Sequence, residues 1–308
     1  MILCCGEALI DMLPRTLPTG DGVFAPHAGG AVFNTAIALA RLEAPASLFT
    51  GLSNDLFGRQ LEAALVESGV DTRHAVRTDR PTTLAFVELS DGQARYAFYD
   101  ENTAGRMLTE ADLPDLAPDV AAAFFGGISL AVEPCADAYA ALMTRAATDR
   151  VTMLDPNIRP GFIRDEAAFR ARLDAMMAQA DILKVSDEDL RWLAGDGDVA
   201  NLARGMLARG PRLVCVTEGA QGARAVSATQ DVFVAAKPVT PVDTVGAGDT
   251  FNAGLLAALH EAGVLSKGAM RDLGADTLRA ALGLATRAAA VTVSRPGANP
   301  PRRADLGL

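Results

Sequence analysis

The sequence predicts an α/β fold in three layers, with helices on both faces of a mainly parallel sheet and a small β-sheet beside it. Three observations carry this. From residue 121 onward, short apolar runs of strand length alternate with longer helical stretches. Over residues 83–89 and 94–99 the period is two, and between them Ser90-Asp91-Gly92-Gln93 reads as a hairpin with an Asp-Gly turn. Half of the 308 residues are apolar while only 5% are aromatic, and alanine is abundant, which favours helices over an all-β design.

Taken in order, residues 2–5 read as a buried strand ending at Gly6-Glu7, with Leu9-Ile10-Asp11 following. Residues 13–27 are rich in Pro and Gly and read as an excursion. The chain returns at Ala28-Gly29-Gly30, which opens a helix to Leu42 with Asn34 in its first turns. Glycine lets a ligand approach the backbone, and an asparagine amide both donates to and accepts from sugar hydroxyls. Residues 47–50 form a short strand. Residues 55–68 form an amphipathic helix with Leu56, Leu61, Leu65 and Val66 in its apolar stripe. The hairpin then interrupts the strand–helix alternation, as an insertion that covers a site or pairs with a second subunit.

Residues 121–125, 151–154, 181–185 and 213–217 read as strands, and residues 135–147, 166–179 and 199–208 as helices. Ligands of such sheets sit beyond the C-terminal strand ends. Polar groups gather there: Glu133, the run Asp155-Pro156-Asn157-Ile158-Arg159, the run Lys184 to Asp189, and the run Thr217 to Gly222. Residues 276–292 form an alanine-rich helix, and Ser294-Arg295-Pro296-Gly297-Ala298 closes the fold. No repeat, low-complexity tract or interdomain linker interrupts the chain, so residues 1–308 are expected to form one domain.

The stretch Pro241 to Gly254 organises the rest. It begins with β-formers and closes with Phe251, Leu255, Leu256 and Leu259, spaced for one helix face. Between lie Gly246-Ala247-Gly248 and then Asp249, with Asp243 on the other side of the loop. A helix N-terminus preceded by glycines leaves backbone N–H groups unpaired, and with the positive end of the dipole they make an anion site. Asp249 is an acid beside a hole built for negative charge. With a hydroxyl at Asp249 and a terminal phosphate over the amides, the arrangement suits phosphoryl transfer.

Other classes are disfavoured. A formal net charge of −10 argues against nucleic acid and anionic membranes as partners. No apolar run reaches membrane-spanning length, and the start Met1 to Gly6 lacks a basic region and cleavage site, so a cytoplasmic protein is expected. Cys4, Cys5, Cys135 and Cys215 show no Cys-x-x-Cys spacing, and His27, His74 and His260 are scattered. There is no Gly-x4-Gly-Lys-Ser/Thr. The Gly246-x-Gly248 pair continues to Phe251 where a dinucleotide fingerprint needs glycine or alanine, and Gly127-Ile128-Ser129-Leu130-Ala131 only approaches a nucleophile elbow.

The stretch from Asp243 to Phe251 resembles the C-terminal signature of the ribokinase-like (PfkB) carbohydrate kinase family, and Gly29-Gly30 through Leu42 resembles its N-terminal signature. The resemblance runs from Gly6 to Ala298. It implies a ribokinase-like three-layer fold with lid strands inserted near residues 11–27 and 82–100, and an ATP-dependent kinase acting on a sugar hydroxyl. By the same resemblance Asp249 is the catalytic base, and Gly246, Ala247 and Gly248 form the anion hole. Asp11, Gly29, Gly30 and Asn34 match sugar-binding positions, and Arg159 an arginine near sugar and phosphate. Ser186, Thr217, Gly219, Gly222 and Gly248 match nucleotide-binding positions. Asp243, with backbone at Val245, Thr292 and Gly297, matches the potassium site of many members.

One departure stands out. The family's Asn-x-x-Glu, linked to magnesium, is here Ser186-Asp187-Glu188-Asp189, so Asp189 reaches one methylene less and is expected to hold Mg2+ through water, with Glu188 as the other candidate. Residues 6–14, 81–89 and 155–159 look most like bacterial fructokinases, with 2-keto-3-deoxygluconate kinases as the alternative, which an arginine such as Arg95 would favour. From a different class, a non-catalytic sugar or nucleotide sensor would be signalled by loss of the aspartate, yet Asp249 is present. Family resemblance and the apolar hairpin together imply a homodimer joined through the lids.

Overall fold

The computed structural model describes residues 1–90 and 93–308, and the side chains of all but 88–96. Its strands and helices, in chain order, are β1 (Ile2–Cys5), β2 (Leu9–Thr16), β3 (Gly22–Gly29), α1 (Ala31–Arg41), β4 (Ala46–Phe49), β5 (Gly51–Ser53) and α2 (Leu56–Ser68). Then come β6 (Val76–Thr78), β7 (Leu84–Ser90), β8 (Gln93–Tyr99), β9 (Ala122–Gly126), α3 (Cys135–Ala146), β10 (Val151–Asp155) and α4 (Glu166–Met177). The last third holds β11 (Ile182–Ser186), α5 (Asp187–Ala194), α6 (Val199–Met206), β12 (Leu213–Thr217), β13 (Gly222–Ser227), β14 (Asp231–Ala235), α7 (Ala247–Glu261) and α8 (Ala275–Val293).

The large sheet has eight strands in the order β14-β13-β12-β11-β10-β9-β1-β4. The run from β12 to β4 is parallel throughout, and β13 and β14 add an antiparallel edge. Central strands of such a sheet are covered on both faces and read as continuous apolar runs. On β1, Ile2 and Cys4 face the core shared with α1, α2, α7 and α8, while Leu3 and Cys5 face that of α3, α4, α5 and α6. All four cysteines are free and buried, so they serve as small apolar residues. From β1 the chain moves to β4 on one side and then to β9 on the other. That reversal of direction beside β1 is where such sheets open a crevice at their C-terminal ends.

The second sheet has four strands, β3-β2-β7-β8, with β2 and β7 parallel and both outer pairs antiparallel. What reads as an excursion over residues 13–27 is therefore mostly two paired strands. Pro14 and Pro26 sit in them, and β3, which carries Pro26, is an edge strand. The expected turn at Asp91-Gly92 and the Arg95 side chain lie outside the described residues.

Three features differ from the sequence reading. In α2, Leu61 and Leu65 are buried, but Leu56 and Val66 are 67% and 62% exposed. The inward face instead runs through Gly58, where an added Cβ would come within 1.9 Å of the Ser53 carbonyl oxygen. Residues 187–194, to which the sequence reading gives no element, form α5 directly after β11. Ser186 caps it and Asp189 returns the bond to the Ser186 amide, a capping box. The antiparallel pair β13 and β14 has no clear sequence signal, because its alternation is carried by alanines at 223 and 225, which read equally as helix.

Helix α7 is held closely against α8. A Cβ at Gly254 would lie 2.6 Å from the Ala285 Cα, and the Thr250 and Thr292 hydroxyls are hydrogen-bonded at 2.9 Å. This packing fixes the direction in which the start of α7 points.

Candidate active site

A cavity of about 650 Å³ opens at the C-terminal edge of the large sheet, between it and the small sheet. The start of α7 forms its floor. Gly246, the N-cap, takes φ 77°, a left-handed backbone that glycine adopts without strain, and no side chain caps the helix. The Ala247 amide donates to the Thr244 carbonyl at 3.3 Å, whereas those of Gly248 and Asp249 have no acceptor among the described residues. The open donors are thus the amides of 248 and 249. Gly246, Gly248 and Asp249 line the cavity and Ala247 does not.

Asp249 is buried, and burial pushes its carboxyl up to about 7, against the Asn34 hydrogen bond and the charge of Lys184, which act in the opposite direction. Asn34 Nδ2 donates to Asp249 Oδ2 at 2.8 Å, and the Thr35 hydroxyl donates to the Asp249 carbonyl at 3.2 Å. The N-terminal and C-terminal glycine motifs, 215 residues apart, therefore meet at one carboxylate.

Helix α1 is positioned by a residue to which the sequence reading gave no role. Glu7 Oε1 accepts from the Ala31 amide at 2.9 Å, and its other oxygen accepts from the Ser129 hydroxyl at 2.9 Å. It supplies the cap that Gly30, at φ 111°, cannot. Burial raises the Glu7 carboxyl above the usual range. A Cβ at Gly30 would sit 2.8 Å from the Glu7 carbonyl oxygen, so this glycine is required by close approach of the backbone. Gly29, the first of the pair, leaves room for Asp11, whose Oδ2 a Cβ there would meet at 2.3 Å. Asp11 on β2 is pushed up to about 6 by burial.

Asp11, Gly30, Asn34 and Arg159 all line the cavity, Arg159 being exposed. Phe98 of the small sheet meets Phe162 edge-to-face at 4.5 Å, and both line the same cavity, which brings that sheet against the loop after β10. On the opposite side Ser186, Glu188, Asp189 and Thr217 line it. Asp189 is buried; its Oδ1 accepts from the Ile158 amide at 3.1 Å and its Oδ2 from the Ser186 amide at 3.3 Å. Desolvation, aided by Asp155, raises its carboxyl above the usual range. Glu188 is exposed at the cavity wall. Gly29, Gly219 and Gly222 fall outside the lining.

The four positions matched to potassium stand just behind the loop. Asp243 accepts from the Val245 amide and the Gly297 amide, each at 3.0 Å, and the Thr292 carbonyl accepts from the Arg295 amide at 3.0 Å. Asp243, Val245 and Gly297 are thereby drawn together. Among the described residues no three of His, Cys, Asp and Glu group as metal ligands.

The family model described as pfkB family carbohydrate kinase matches residues 1–305. The chain is 53% identical over 279 residues to a fructokinase of Rhizobium leguminosarum bv. trifolii, covering 91% of this chain and 86% of that protein. Among solved structures, the fructokinase of Xylella fastidiosa with bound ATP superposes with a TM-score of 0.90 at 31% identity, covering 99% of this chain and 97% of the other. A Vibrio cholerae O395 fructokinase variant with fructose, ADP and a potassium ion bound gives 0.87 at 26% identity, covering 99% and 96%. The chain is a member of the pfkB family of carbohydrate kinases, with the ribokinase-like fold.

Proposed function

We propose that the protein transfers the γ-phosphate of ATP to a primary hydroxyl of fructose, with Asp249 as the base. The observation that carries this reading is a single one: a buried carboxyl raised to about 7 beside two main-chain amides without acceptors among the described residues. A base is most effective when its pKa lies near the working pH. Asn34 orients the carboxylate, and the amides of Gly248 and Asp249 take charge on the migrating phosphoryl group. Fructose as acceptor is supported by the relatives named above and by the acidic walls Glu7 and Asp11, which suit a neutral sugar better than a sugar acid. Asp11, Gly30, Asn34 and Arg159 would hold the sugar, and Ser186 and Thr217 the nucleotide. Gly219 and Gly222 would shape the strand–loop behind it, and Gly29 makes room for Asp11.

Mg2+ would be held through water by Asp189 and Glu188, an all-oxygen set that fits it, and would neutralise charge on the nucleotide oxygens when bound. Because two amides already occupy Asp189, Glu188 is the freer of the two. For K+, Asp243 and the carbonyls of Val245, Thr292 and Gly297 provide oxygen donors, with the Asp243 carboxylate already shared by two amides.

The four-stranded sheet would act as a lid on one kinase domain spanning residues 1–308, excluding water from the reaction. Its outer strands are β3 and β8, and Phe24 and Tyr99, 48% and 63% exposed, each pack edge-to-face on Phe86. We assign it as the dimer contact. The net charge disfavours nucleic acid and anionic membrane as partners, and four unpaired thiols suit the reducing cytoplasm.

Asp249→Asn should lower kcat about 10³-fold while ATP affinity stays within about threefold, measured by coupled assay and calorimetry; near-normal turnover would refute the assignment. The base must be ionised, so kcat/KM for the sugar should rise about tenfold per pH unit below about 7 and level off above it. A profile flat from pH 5 to 8 would contradict it. The linked effect on stability has the opposite sign: a carboxyl raised by folding makes stability fall as pH rises from its ordinary range to about 7. Sedimentation at micromolar concentration should give twice the chain mass, and a monomer would rule out the lid contact.

A further inference from the structure

Lys184 is the only buried basic residue among the described residues. It rises from β11 on the face of Ile182, toward α7. Its Nζ donates to Asp155 Oδ2 at 2.9 Å, and Asn252, one turn beyond Asp249 on α7, donates to the same oxygen at 2.7 Å. Lys184 lines the cavity, and a methyl group placed on Gly248 would come within 3.2 Å of its ammonium. Lys184 also lies within electrostatic reach of Asp249 and Asp189.

A structural ion pair explains this poorly. A buried pair is commonly matched in stability by apolar residues of similar volume. Asp155 balances the ammonium, but the amides of Gly248 and Asp249 beside it still favour a further anion at the helix N-terminus. The choice of residue points the same way. Of 28 basic residues only Lys184, Lys237 and Lys267 are lysines, so arginine is this chain's ordinary cation. An ammonium is a compact charge on a flexible stem and fits under a phosphoryl oxygen where a guanidinium fork would need more room.

We propose that Lys184 is a catalytic residue, its ammonium contacting an oxygen of the migrating phosphoryl group, with Asp155 and Asn252 as positioning residues. This rests on the assignment of Asp249 and its neighbouring amides. As the sugar oxygen bonds to the γ-phosphorus, the bond from that phosphorus to the ADP bridging oxygen breaks and its electron pair leaves on ADP. The hydroxyl proton passes to Asp249. Lys184 keeps its protons throughout and carries part of the charge on the transferred oxygens.

Lys184→Met would leave Asp155 unpaired, so the deciding variant is Lys184→Met with Asp155→Asn, which removes both charges; Lys184→Gln, which keeps a donor for Asp155, replaces it if that protein does not fold. The melting temperature should stay near that of the unmodified protein while kcat falls at least about 100-fold. Without turnover, affinity for the non-hydrolysable analogue AMP-PNP should drop about tenfold, with ADP affinity unchanged. Turnover within a few-fold of normal, or equal loss for both nucleotides, would overturn the proposal. Asp249→Asn run in parallel separates the two readings: if it turns over normally the base assignment fails, whereas the nucleotide ratio judges Lys184 independently.

Discussion

The site depends on a carboxylate kept out of water at the start of a helix. Ionising a buried acid is unfavourable, and Asp249 is tolerated because Asn34 donates to it at 2.8 Å and Lys184 lies within electrostatic reach. The surroundings hold Asp249 between its two protonation states near neutrality. That poise is what a general base needs, and it exists only while α1, α7 and β11 keep their relative positions.

The rest of the fold serves that constraint. Gly254 lets α7 approach α8 closely, which aims the open amides of 248 and 249 into the cavity. Glu7 ties the start of α1 to Ser129 after β9, so Asn34 arrives from across the strand reversal beside β1. Lys184 and Asp155 come from adjacent parallel strands whose C-terminal ends meet under α7. Four segments distant in sequence thus converge on one volume, as the crossover topology of a parallel sheet allows.

Much of this was legible in the residues. The two glycine motifs and Asp249 are local signals, since a tight turn into a helix needs particular residues at fixed spacing. Strands β1, β9, β10 and β12 are plain apolar runs. What the chain does not disclose locally is partnership. Nothing around Glu7 announces that it caps α1 from 24 residues away, nor does Lys184 reveal Asp155 as its neighbour. Ser186 and Asp189 show the opposite case: Ser-x-x-Asp is close to a capping box, and that reading would have placed α5 and shown that Asp189 is engaged by backbone. Which amides stay open at the start of α7 is hidden for a similar reason, because the Ala247 amide closes the turn onto Thr244.

The most direct measurement is a crystal structure with fructose and a non-hydrolysable ATP analogue bound together. The account predicts the Asp249 carboxylate within about 3 Å of the acceptor hydroxyl and γ-phosphate oxygens on the amides of Gly248 and Asp249. A carboxylate distant from every sugar oxygen, with the phosphate bound elsewhere, would contradict it.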